Sequence, residues 1–153
     1  MGGRALKNVY TRRFEKMEFL KLKDDVVSIL DKSFKYKTVP LWYREKESFG
    51  DLDIIIAWSD KIKDGNDVRK YIEETFQPTE IYHTSNSNSW SFDYKECQVD
   101  FIMCDEEDFW CFYHYFAYND LGNFIGVLAR NIGLKYGQNG LVYDHYFKTD
   151  KIF

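Results

Sequence analysis

The sequence predicts an α/β (α+β) fold: a small mixed β-sheet with helices on one face and a small helical C-terminal lobe. Three observations predict it. Apolar residues recur at helical spacing early in the chain. Short runs of β-branched and aromatic residues, bounded by polar turns, fill the middle. Two more helical stretches follow.

Thr11 is the expected cap of a helix running to about Leu30, with Phe14, Met17, Leu20, Val27 and Leu30 at helical spacing and charged residues between them. Lys35 to Tyr43 reads as a strand, and Pro40 suggests an edge or a bulge. Arg44 to Gly50 is a polar loop. Asp51 to Trp58, with three consecutive isoleucines, is the strongest strand signal. Lys61–Asn66 reads as a turn and Asp67–Phe76 as a short helix. Thr79–His83 and Trp90–Tyr94 read as strands joined by the Ser/Asn-rich turn Thr84–Ser89, and Glu96–Met103 as a further strand. Two helices are expected over roughly Glu106–Ala117 and Asp120–Ile132, with Gly133 ending the second. Lys135–Asn139 and Gly140–Tyr146 read as a hairpin. The boundary falls near Cys104, dividing the chain into 1–103 and a helical lobe, 104–153.

Composition narrows the class. The chain has 153 residues, of which 44% are hydrophobic and 19% aromatic, with 2 prolines and 9 glycines, so one self-sufficient core is expected rather than disorder or low complexity. No apolar run approaches the ~20 residues of a membrane helix. The start, Met1-Gly2-Gly3-Arg4, lacks the apolar stretch of a secretory signal. Three cysteines, Cys97, Cys104 and Cys111, are an odd set without Cys-x-x-Cys spacing, which favours reduced thiols and a cytoplasmic location. Charge is uneven. Residues 1–46 hold 12 Lys/Arg against 6 Asp/Glu, and residues 47–153 hold 9 against 19. Arg12, Arg13, Lys16, Lys21 and Lys23 read as a solvated helix face ahead of a nucleic-acid track. His83, His114 and His145 lack ligand spacing.

The chemistry is carried by carboxylates. Asp51 and Asp53 lie two apart on a strand and therefore share a face, while Leu52, Ile54 and Ile56 take the other. In Gln98-Val99-Asp100-Phe101-Ile102, Val99 and Phe101 are expected in the core, leaving Asp100 on the opposite face. If the two strands are neighbours, three carboxylates converge. Such hard oxygen donors suit Mg²⁺. Two ions about 3.5–4 Å apart would clamp an in-line phosphoryl transfer.

Arg44-Glu45-Lys46-Glu47-Ser48-Phe49-Gly50-Asp51-Leu52-Asp53 followed by Ile54-Ile55-Ile56 resembles the signature of the polymerase-beta-like (family X) nucleotidyltransferases. Gln98-Val99-Asp100-Phe101 is similar to that family's third-carboxylate strand, and Tyr115-Phe116-Ala117-Tyr118 to its Tyr-Phe-Thr-Gly segment. The likeness covers about residues 25–146. The opening Gly2-Gly3-Arg4-Ala5-Leu6 with Thr11-Arg12-Arg13 is similar to phage-type relatives, which would place the protein in the host cytoplasm.

The resemblance implies a nucleotidyltransferase-like fold with a palm-like part over 1–103 and a minimal or trimmed thumb-like lobe. It implies two Mg²⁺ ions, replaceable by Mn²⁺, held by catalytic Asp51, Asp53 and Asp100. It implies nucleotide contacts from Arg44, Ser48, Gly50, Tyr115, Phe116, Asp120 and Asn123. The expected reaction is attack of a hydroxyl on the α-phosphate of a nucleoside triphosphate, with a nucleic-acid acceptor (a DNA primer end, or tRNA). Transfer to tRNA, protein or a small molecule, and nucleotide binding without turnover, are the alternatives. One departure stands out: Pro40-Leu41 occupies the place where many members carry a Gly-Ser that holds the triphosphate.

Overall fold

The computed structural model describes residues 5–143. In chain order the elements are β1 (Phe14–Glu15), α1 (Lys16–Leu30), β2 (Lys37–Thr38), β3 (Ser48–Phe49), β4 (Asp51–Ala57) and α2 (Gly65–Phe76). After these come β5 (Ile81–Thr84), β6 (Ser89–Tyr94), β7 (Cys97–Cys104), α3 (Phe109–Phe116), α4 (Leu121–Asn131), β8 (Lys135–Gly137) and β9 (Gly140–Val142). Five strands form one mixed sheet in the order β2-β4-β7-β6-β5. β4 and β7 are parallel, and the other pairs are antiparallel. The fold is therefore mixed α+β, as the sequence predicts.

Alternation along the two central strands splits the molecule into two layers. Leu52, Ile54, Ile56, Val99, Phe101 and Met103 pack with Phe19, Leu22, Val26 and Leu30 of α1 and Val68, Ile72 and Phe76 of α2. Burial of each such aliphatic or aromatic side chain contributes about 1.5–3 kcal/mol. On the reverse face Ile55, Ala57, Ile102 and Cys104 pack under Phe109 and Phe112 of α3. Helices thus lie on both faces rather than on one as expected, α1 and α2 on one side and α3 sharing a core with the sheet on the other. The reverse face is covered by α3 toward the C-terminal ends of β4 and β7. Toward their N-terminal ends it carries the three aspartates.

Several boundaries differ from expectation for identifiable reasons. α1 begins at Lys16, because Phe14–Glu15 pairs with Ser48–Phe49 as β1–β3; Thr11 caps nothing. The buried stripe of α1 is then Phe19, Leu22, Val26 and Leu30, and Met17 points to solvent. The expected Lys35–Tyr43 strand is confined to Lys37–Thr38. Two residues on, Pro40 has no N–H to donate to a ladder. Asp64 rather than the Lys61–Asn66 turn as a whole starts α2: its Oδ1 accepts from the Asn66 and Asp67 N–H groups at 2.8 and 3.0 Å. The final hairpin is present as β8–β9, and the part expected over 144–146 lies outside the described residues, as does His145. Among the described residues, no helix is long and apolar enough to cross a membrane.

Candidate metal centre

Asp53 and Asp100 are direct partners across the parallel β4–β7 pair, and Asp51 stands opposite Gln98. This register brings ligand oxygens of Asp51, Asp53 and Asp100 within 4.8 Å of one another. The three carboxylates lie close enough to hold a metal ion.

Asp100 is 9% exposed. Gln98 Nε2 donates to both of its oxygens, at 3.0 and 2.9 Å. The Gln98 amide is itself oriented from the N-terminal segment: the Ala5 N–H donates to Gln98 Oε1 at 2.9 Å. Burial pushes the Asp100 carboxyl up to about 6, against the opposing pull of hydrogen bonds from Ser91 and Gln98, with the Asp51 charge adding to the rise. Asp53 is raised well above the ordinary carboxylate range, first by burial and then by Asp51 and Asp100, with Lys46 opposing. Stacking negative charge in a partly desolvated place is costly, and a cation relieves that cost.

Beside the carboxylates lies an open cleft of about 480 Å³, lined by Arg13, Tyr43, Lys46, Gly50, Asp51, Asp53, Phe116, Asn119 and Asp120. Lys46 is half-buried; burial lowers its pKa, while the Asp51 and Asp53 charges oppose that shift. Its ammonium also sits 4.8 Å above the Phe49 ring.

The residues expected to meet a nucleotide divide into two groups. Gly50, Phe116 and Asp120 line the cleft. Arg44 is exposed and is not among the lining residues; its carbonyl accepts from Lys16 Nζ at 3.2 Å. The Arg13 guanidinium donates to the Ser48 hydroxyl at 3.0 Å and to its carbonyl at 2.9 Å. Tyr115 and Asn123 meet each other, the Tyr hydroxyl donating to Asn123 Oδ1 at 3.1 Å, and neither is among the residues lining the cleft.

Sequence reasoning missed Arg13, Lys46, Asn119 and Gln98. Arg13, read from the sequence as part of a solvated helix face, is carried to Gly50 by the β1–β3 pairing, which no local pattern announces. Lys46 had a usable signal, since it lies inside the quoted loop, five residues before Asp51. Asn119 arrives through an unusual turn. Tyr118 and Asn119 have φ of 58° and 59°, a left-handed pair between α3 and α4. The Tyr118 N–H donates to the Leu41 carbonyl, tying this turn to the Pro40-Leu41 segment. Tyr118 thus adopts glycine-like backbone at the position where the resemblance expects Gly.

No protein-family model matches this sequence, and no curated protein matches it. Fold and site together define a mixed α+β protein with an acidic triad at one end of its central parallel strand pair.

Proposed function

We propose that this chain is a metal-dependent nucleotidyltransferase, a minimal polymerase-beta-like enzyme acting on a nucleoside triphosphate. The observation that carries the reading is the convergence of Asp51, Asp53 and Asp100 beside a cleft that also holds Arg13 and Lys46. Three hard carboxylate donors fit Mg²⁺, with Mn²⁺ as a substitute, and poorly fit softer thiophilic ions. When bound, two such ions supply positive charge at the transferring phosphoryl group and at its entering and leaving oxygens.

The chain's own residues do the rest. Arg13 and Lys46 take the phosphate-facing task that the resemblance assigns to Arg44, since they stand at the cleft and Arg44 does not. Phe116 and Tyr43 offer apolar walls to a sugar or base. Asn119 and Asp120 offer polar groups at its rim. Asp100, buried beside Asp53 on the neighbouring strand, stands where it would accept the proton of the attacking hydroxyl. The hydroxyl oxygen then bonds to the α-phosphorus, the bond from that phosphorus to the bridging oxygen breaks, and pyrophosphate leaves. Positioning and electrostatics supply most of the acceleration.

A reading without turnover is favoured by one observation. Pro40, in the segment where the resemblance expects a Gly-Ser to hold the triphosphate, has no N–H to donate to a phosphate oxygen. The deciding experiment supplies labelled nucleoside triphosphates, Mg²⁺ and a primed DNA template. Primer extension with pyrophosphate release supports the proposal. Label on tRNA or protein with the primer untouched moves the acceptor, and nucleotide binding without pyrophosphate release supports the reading without turnover.

A further inference from the structure

Helix α4 reverses the usual amphipathic arrangement. The residues it buries are small: Gly122, Gly126 and Ala129. A Cβ on Gly122 would stand 2.2 Å from the Tyr115 carbonyl oxygen, and one on Gly126 would stand 3.2 Å from that of Tyr136. α4 therefore lies backbone-close on α3 and β8, with no room for large side chains on that side. Its large apolar residues face outward. Leu121, Phe124, Ile125, Val127 and Leu128 are exposed, with Ile132 just beyond the helix, and Phe124 and Ile132 reach 68% and 73%.

Leu121, Ile125, Leu128 and Ile132 follow one another at four-, three- and four-residue steps. That is the seam one helix offers to another. The six outward residues expose roughly 600 Å², the upper end of the ~300–600 Å² of the largest apolar patch on a typical monomer. That is about three quarters of the ~800 Å² that each partner commonly contributes to a stable dimer.

Charge selects among occupants. The seam carries none. Arg130, the charged residue of α4, folds back to donate to the Gly126 carbonyl at 3.2 Å. A helix lying on a membrane surface would carry several Lys and Arg along its polar face, whereas that of α4 has Asn123, Asn131 and the single Arg130. An uncharged seam of this kind is self-complementary: about a twofold axis, each residue meets its own equivalent or a neighbour of it. We infer that the outward face of α4 is the contact between two copies of this chain, α4 packing on α4 across a twofold axis.

The full chain in solution tests this. Sedimentation velocity over about 1–100 µM should give a species of twice the 18.4 kDa chain mass. The double variant Phe124→Asp/Leu128→Asp should weaken dimerisation by at least about 100-fold, with unchanged circular dichroism and Mn²⁺ affinity. In a Cys111→Ser background, Ile125→Cys should cross-link to a covalent dimer under mild oxidation. Met17→Cys, exposed on α1, should not.

A monomer throughout the range, or a dimer that survives both aspartates, overturns the inference. So does a full-length monomer that binds anionic vesicles through this face. A monomeric full chain whose variant ending at Tyr143 dimerises would also overturn it, assigning the face to residues 144–153.

Discussion

Replacing Asp100 with Asn should make the metal-free protein more stable while abolishing metal binding. In the native state the Asp100 carboxyl is pushed from its ordinary 3.8 to about 6. A rise of two units means that ionised Asp100 costs the folded state about 3 kcal/mol at neutral pH. Asparagine removes that cost. It keeps one acceptor for the Gln98 amide and gives up one hydrogen bond, worth about 1 kcal/mol. The net gain is about 2 kcal/mol, which for a domain of this size raises Tm by about 4–8 °C. The assay is calorimetry or thermal fluorescence at neutral pH in chelator, repeated with Mn²⁺. Wild type should gain about 2.7 kcal/mol at one hundred times its Kd for Mn²⁺, and the variant should gain nothing from the same ion. A variant less stable than wild type in chelator would refute the electrostatic reasoning. One that kept the Mn²⁺ gain would refute the ligand assignment.

The same groups set a pH dependence. Folded-state values above the ordinary ones mean that the native protein holds more protons than the unfolded chain between about pH 4 and 6. Their contribution is present below that window and lost as pH rises through it. The metal-free wild type should therefore lose Tm relative to Asp100→Asn from about pH 4 to 6, and saturating Mn²⁺ should remove the trend. Lys46→Ala should raise the KM for nucleoside triphosphate by about tenfold or more, the scale of one charged hydrogen bond. Arg44→Ala should leave it within about twofold; steady-state kinetics with the reverse ranking would return the phosphate role to Arg44. Gly122→Ala places a methyl 2.2 Å from backbone, so urea denaturation should report a loss of at least about 2 kcal/mol.

The aspartate triad was legible in sequence because two rules acted together. Strand alternation fixed the face of Asp51 and Asp53, and an apolar strand around Asp100 fixed the face of the third. Only the adjacency of β4 and β7 had to be supplied, and the Asp53–Asp100 register supplies it. The cations were less legible. Arg13 enters the cleft through β1–β3, a two-residue pairing across 35 positions whose energetics are tertiary rather than local. The face of α1 was misassigned because Phe14 and Met17 match a helical period that begins before the helix does. Tyr115 and Asn123 were placed by resemblance alone, and the turn at Tyr118 and Asn119 gives them to each other. The small inward face of α4 was in the sequence as Gly122, Gly126 and Ala129. Its meaning needed the Tyr115 carbonyl pressed against Gly122.

The central claim is that Asp51, Asp53 and Asp100 together hold divalent cations for nucleotidyl transfer. A crystal structure grown with Mn²⁺ and a non-hydrolysable nucleoside triphosphate tests it most directly. Anomalous density bounded by all three carboxylates, with the triphosphate reaching toward Arg13 and Lys46, is the predicted result. Manganese bound elsewhere, or a triad left with no metal beside a bound nucleotide, would contradict it.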